Sequence, residues 1–267
     1  MILKRVLFLI SCIIFASVSG ARVMGADSAP PNAVQTCANA FVPAEKLTYS
    51  ISWSNIVRAG IAVMEVKEGQ TIGGRRTYQF TSRTHSVGLL DTFYPVQDTV
   101  ESIVDANDLC SLTFHLQENH GKRKRRRQLT FDRENGTVRQ ALNDDKPETY
   151  SVPKCVQDAL SSLYYVRTRQ DFHAGKPIIL DVFDGGKTWS VEVQTLGKER
   201  IKTPAGEFDT IEVKTYPKYE GVFKHKGEIY IWLTDDARKI PVQMKSVISI
   251  GSIIATLTGI EGRKDKP

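Results

Sequence analysis

From Leu47 onward, apolar and polar residues alternate along the chain. Leu47, Tyr49, Ile51 and Trp53 fall on one side of an extended backbone, and Thr48, Ser50 and Ser52 on the other. That pattern predicts a strand with one buried and one wetted face. Ile61–Val66 is more uniformly apolar and reads as a strand covered on both sides. Further strands are predicted at Arg76–Thr84, Val96–Asp105, Leu112–Glu118, Arg125–Asp132 and Thr137–Leu142. The period changes once. Val156, Ala159, Leu160, Leu163 and Tyr164 follow i, i+3, i+4, i+7 and i+8, which marks an amphipathic helix of about three turns. Pro153 precedes it, and Arg167 and Arg169 near its end suit the helix dipole.

Strands then resume. Ile178–Phe183 and Thr188–Leu196 are joined by Asp184-Gly185-Gly186-Lys187, whose glycines reach the positive φ of a tight hairpin. Thr203-Pro204-Ala205-Gly206 is another turn, ahead of Glu207–Thr215, Gly227–Leu233, Pro241–Ile250 and, after Gly251, Ser252–Thr258. Connections are short throughout, so residues 41–260 read as one mainly β domain with a polar tail at 261–267. The expected fold is a single antiparallel meander. A sheet of roughly a dozen strands rarely stays flat, and should curl into an incomplete barrel or spiral with the helix packed on or in it.

The N-terminus reads as an address. Lys4 and Arg5 precede the apolar run Val6–Val18, and Val18-Ser19-Gly20 supplies small residues at a cleavage spacing. Residues 1–20 are therefore expected to be a signal peptide, and residues 21–40, with Pro30-Pro31, a flexible leader. Leu9-Ile10-Ser11-Cys12 looks like a lipoprotein box, but apolar sequence continues past Cys12, which disfavours anchoring there. The expected location is the periplasm. Lys+Arg number 36 and Asp+Glu 30; losing Lys4 and Arg5 with the signal leaves a surplus of four. That is too mild for a nucleic-acid partner. Cys37, Cys110 and Cys155 remain in an oxidising compartment, predicting one disulfide and one free thiol, with all three pairings open.

Candidate chemistry is sparse. Lys122-Arg123-Lys124-Arg125-Arg126-Arg127 would place cations on both faces of a strand, so it is expected outside any buried sheet. It reads either as a contact for an anionic membrane surface or as an exposed hairpin whose charges resist edge association. Asp98, Glu101, Asp105, Asp235 and Asp236 raise the alternative of a hydrolase acting on an envelope polymer. Glu101 and Asp105 share a strand face about 13 Å apart, beyond the roughly 5–9.5 Å of glycosidase pairs. Thr234-Asp235-Asp236-Ala237-Arg238 reads better as a turn. The five histidines show no metal-binding spacing, and no cofactor motif occurs, so neither metal nor cofactor is expected. Trp53, Tyr164, Trp189, Tyr230 and Trp232 lie on elements that a curled sheet would bring together, as core or as an apolar ligand groove.

Certain stretches resemble a family. Pro43-Ala44-Glu45-Lys46-Leu47-Thr48-Tyr49 opens the domain, followed by Asp98, Glu101-Ser102 and Asp105. Ser161-Ser162-Leu163-Tyr164-Tyr165-Val166-Arg167 forms the helix, with Glu199-Arg200, Thr203-Pro204-Ala205-Gly206-Glu207-Phe208-Asp209-Thr210 and Ile231-Trp232-Leu233-Thr234-Asp235-Asp236-Ala237-Arg238-Lys239-Ile240-Pro241 beyond it. Together they resemble a bacterial envelope family named as domain of unknown function 3108, over about residues 40–260. The resemblance implies a Gram-negative periplasmic protein with a curled antiparallel sheet, and offers no catalytic residues. The expected function is non-enzymatic binding or envelope maintenance, with a lipid, an acylated protein or a protein segment held in an apolar concavity. A scaffold pairing through an exposed strand edge is a further alternative. Oligomeric state is left open.

Overall fold

A computed structural model of the chain describes residues 40–217, 228–247 and 251–262. The signal peptide, Cys12, Cys37 and leader residues 21–39 lie outside the described residues. The strands are β1 (Lys46–Trp53), β2 (Val57–Glu68), β3 (Thr77–Ser86), β4 (Val96–Asp105), β5 (Ser111–His120), β6 (Arg123–Asp132), β7 (Thr137–Leu142), β8 (Glu148–Ser151), β9 (Ile178–Asp184), β10 (Lys187–Thr203), β11 (Gly206–Pro217), β12 (Ile229–Thr234), β13 (Pro241–Val247) and β14 (Ser252–Glu261). Two helices interrupt them, α1 (Leu89–Phe93) and α2 (Ser161–Arg167). The strands form one 14-stranded antiparallel sheet in the order β8-β7-β6-β5-β4-β3-β2-β1-β14-β13-β12-β11-β10-β9. The ladder from β1 to β14 joins the two halves of the chain, and β8 and β9 are the unpaired ends. The curled, unclosed meander expected from the alternation is the fold observed.

Because neighbours in sequence are neighbours in the sheet, the connections alternate between two ends. The β1–β2, β3–β4, β5–β6, β7–β8, β9–β10 and β13–β14 connections share one rim; α2 lies at the other end. Inward positions make the core. Leu47, Tyr49 and Ile51 on β1 are fully buried, and the register continues them through Leu257 and Ala255 on β14 and Met244 on β13.

The sequence reading needs three corrections. The four-residue β8 and the one-turn α1 have too few positions to show a period, and neither was expected. The predicted helix begins five residues late: Val156–Leu160 is not helical. Tertiary hydrogen bonds take that stretch. The Gln157 amide donates to the Asp181 carbonyl, the Phe183 amide donates to the Gln157 carbonyl, and the Ser111 amide donates to the Val156 carbonyl. Ala40, assigned to the leader, is buried with Phe41 beside α2.

That stretch is also the strap across the open seam. Cys110 at the foot of β5 is bonded to Cys155, with Cα atoms 5.0 Å apart, within the normal disulfide range. Beyond the strap, Phe183 on β9 packs on Phe131 of β6 and Tyr150 of β8. Arg127 on β6 pairs with Asp184 on β9 at 2.5 Å, both side chains buried. The edges β8 and β9 therefore meet through side chains and a strap rather than through a ladder.

α2 fills the barrel at its own end. Tyr164 stacks on Phe80 with centroids 3.8 Å apart, and Phe41 meets both rings edge-on. Asp158, fully buried before the helix, accepts from the Leu160 and Ser161 amides and from the Ser102 and Ser111 hydroxyls. Burial pushes its carboxyl up, against the pull of those donors. At the other end of α2, Arg167 is 1% exposed. It makes two hydrogen bonds to Glu45, at 2.7 and 2.9 Å, and donates to the Ala40 carbonyl. Burial opposes the Arg167 charge, and Glu45 more than offsets it.

Glu45→Gln should leave the Arg167 charge uncompensated and cost about 3–5 kcal/mol in urea unfolding, whereas Glu45→Leu with Arg167→Met should cost far less. Removing the 45-residue cross-link by Cys110→Ser and Cys155→Ser should lower stability, by about 4 kcal/mol on the loop-entropy argument. Calorimetric melting of the oxidised and reduced chain measures it.

Candidate functional site

The five aromatic residues do not line one concavity. Trp53, Tyr164 and Trp189 belong to the core side, where Trp189 registers with Val182. On β12, Ile229, Ile231 and Leu233 face inward, with Ile231 paired to Val213 and Met244. By register Tyr230 and Trp232 fall on the other face, opposite Lys214 and Glu212, where Trp232 is still buried, at 7% exposure, and Tyr230 is half-buried. Trp232 Nε1 donates to Glu199, and Tyr230 donates to Glu228. Strand parity separates the two sets. Where an apolar hollow was expected, α2 and Phe41 are packed.

The basic run also requires correction, because it is strand β6 inside the sheet. Lys124 and Arg126 point outward and are exposed, while Arg125 and Arg127 point inward. The interior tolerates them because it holds the opposite charges: Glu118 lies 3.7 Å from Arg125, and Asp184 pairs with Arg127. The Arg127 guanidinium also sits 5.3 Å from the Phe114 ring centroid. Lys122 and Arg123 are exposed at the β5–β6 turn, where Gly121 takes φ 58° against the Tyr94 ring. Inside, the row Asp98–Glu118–Arg125 crosses three strands in register. Asp98 is chelated by His120 Nε2 at 2.9 and 3.0 Å.

The carboxylates occupy five separate networks. Asp98 faces inward to His120, and Glu101 faces outward, accepting from Gln79 at 2.7 Å. Asp105 is buried between Arg75 and Arg133. Asp235 pairs with Lys198. Asp236 accepts from the Thr234 hydroxyl and from the Arg238 and Lys239 amides, the geometry of a turn. Burial raises its carboxyl pKa, but these bonds outweigh it and hold the group below its ordinary value. Among the described residues no cluster of three or more His, Cys, Asp or Glu could hold a metal ion.

What the fold does form is a groove of about 310 Å³ on the outward face of β4–β7. It lies at the small end of the roughly 300–1,000 Å³ usual for ligand sites. Register lays its lining in two rows. One runs Glu101, His115, Gln128, Ala141; the other runs Thr99, Gln117, Arg126, Asn143. Gln128 lies 3.1 Å from His115 Nε2, Arg126 reaches Asp144 at 2.8 Å, and Asn143 Oδ1 accepts from the Arg126 amide. The surface is rich in amides, with one guanidinium, one imidazole and one carboxylate. It can hydrogen-bond an extended polar ligand. Sequence reading set His115 aside with the other histidines and passed over Gln117, Gln128 and Asn143, although His115, Gln117 and Gln128 are the polar half of the alternation that located β5 and β6.

The strand edges are short or covered. β8 has four residues, and the end of β9 is bridged by Gln157, which blunts both against strand addition.

Comparison with other proteins follows the same architecture. A β-barrel-like protein containing domain of unknown function DUF1849 from Brucella abortus aligns with TM-score 0.52 at 12% identity, covering 83% of this chain and 99% of that one. The likeness is one of fold. A candidate lipoprotein from Parabacteroides distasonis aligns at TM-score 0.38 and 11% identity, covering 82% of this chain and 96% of that one. No curated protein matches. The model of the family of proteins of unknown function DUF3108 matches residues 48–258, nearly the whole of the sheet, and the chain belongs to that family.

Proposed function

We propose that this is an exported, non-catalytic binding protein of the bacterial envelope. It engages a hydrophilic, negatively charged envelope component through the outward groove on β4–β7. The groove itself is the observation that carries the reading: Arg126, His115 and the amides of Gln117, Gln128 and Asn143 converge on one concavity, where the Glu101 carboxylate already accepts from Gln79. Lys124 and Arg139 stand exposed on the same outer face. Hydrogen bonds from charged donors are about twice as strong as neutral ones, which favours an anion over a neutral ligand.

Export is supported by the N-terminal pattern of residues 1–20 and by the Cys110–Cys155 bond, which persists in oxidising compartments. The non-catalytic reading is supported by the carboxylates, each engaged in its own ion pair, hydrogen bond or turn. Lipid carriage between sheet and helix would require α2 to leave, breaking the Arg167–Glu45 pair and the four acceptor bonds of Asp158. The outer face asks for no such rearrangement.

Titration calorimetry with acidic and neutral oligosaccharides of equal length tests the reading. Acidic chains should bind, and Arg126→Gln with His115→Ala should weaken them roughly tenfold, the worth of one charge-assisted hydrogen bond. Equal affinity for neutral chains, or an unchanged variant, would sink it.

A further inference from the structure

Seven large apolar side chains among the described residues are exposed, and four of them stand on the rim opposite α2. Isolated exposed apolar residues are ordinary. These four are not scattered. Ile56 and Phe93 are the two most exposed, at 82% and 78%, with Val57 and Val247 beside them in the same set of connections. Phe93 is held out by a braced connector: Ser86 Oγ donates to Asp91, and the Tyr94 amide donates to the Leu90 carbonyl. Ile56 caps the β1–β2 hairpin, whose Ser54 amide donates to the Ser252 carbonyl. On the β1–β2, β3–β4 and β5–β6 connections and the strand residues beside them, the cations Arg58, Lys122, Arg123 and Lys124 are exposed against one exposed acid, Asp91; Asp144 and Asp145 are exposed farther along the rim, on the β7–β8 connection.

We infer that this rim is a docking surface for an anionic lipid bilayer, with Ile56 and Phe93 entering the headgroup boundary while Arg58, Lys122, Arg123 and Lys124 meet lipid phosphates. The arrangement matches what an interfacial anchor needs. Apolar tips supply area to bury, and basic residues near the surface supply about 1 kcal/mol each. A protein partner would be better served by a contiguous patch; tips on separate hairpins suit a deformable surface. The rim is distinct from the groove, because Ile56 and Phe93 take no part in the groove lining. The basic run then has two uses, with Lys122, Arg123 and Lys124 at the membrane and Arg126 at the groove.

The test is co-sedimentation of the exported chain with vesicles of phosphatidylglycerol and phosphatidylethanolamine, against vesicles of phosphatidylcholine alone. Binding should require phosphatidylglycerol. Ile56→Ser with Phe93→Ser should weaken it about tenfold with little change in its salt dependence. Lys122→Gln, Arg123→Gln and Lys124→Gln together should weaken it and flatten the salt dependence. All these side chains are exposed, so melting temperature should hold. The Phe93→Trp variant should gain fluorescence that brominated acyl chains quench. Arg126→Gln with His115→Ala should bind vesicles as the parent does, which keeps this result separate from failure of the groove. No binding by the parent, equal binding to phosphatidylcholine, an indifferent Ile56/Phe93 pair, or unquenched fluorescence would each overturn the inference.

Discussion

A sheet whose two end strands never pair has to hide its inner face by other means, and here the plug built around α2 does so. The Arg167–Glu45 pair ties that short helix to the start of β1. The same guanidinium holds the Ala40 carbonyl and lies 5.3 Å from the Tyr164 ring centroid. Seven helical residues could not stay folded alone. They persist because Asp158 and Arg167 anchor each end while Tyr164 and Leu163 fill the space between. The interior of the sheet is thereby filled.

The seam follows the same logic. Closing β8 onto β9 by a ladder would need matched lengths, and β8 has only four residues. Side chains replace the ladder: Arg127 reaches Asp184, Phe183 sits between Phe131 and Tyr150, and the disulfide holds the strap in register. Inward-pointing charges, which would weaken a closed apolar core, also discourage edge pairing with other chains. Arg127, the buried cation of β6, therefore belongs to closure, while Lys124 and Arg126 of the same strand face outward. Strand parity thus sends neighbouring cations of one run to opposite faces.

Much of this was legible in the amino-acid order. Alternation located most strands within a few residues, and the turn at Thr234–Arg238 was visible from its hydroxyl and acids. The expectation of export allowed a disulfide without choosing the pair. Two short elements were missed because four or five residues do not display a period. The helix was overextended because Val156 and Leu160 satisfy helical spacing whether or not they are helical. The groove went unseen because its polar residues looked like the wetted half of ordinary strands.

By itself, the sequence determined the period, and with it the meander, the two alternating sets of each strand, and the curl that a long twisted sheet must adopt. Local sterics and solvent preference act residue by residue, so they are written along the chain. Tertiary structure alone decided which cations found acids, which face of β12 turned inward, which cysteines met, and where hairpin tips gathered. Those outcomes depend on groups far apart in sequence arriving at one place, and the curvature that brings them there is a property of all fourteen strands together.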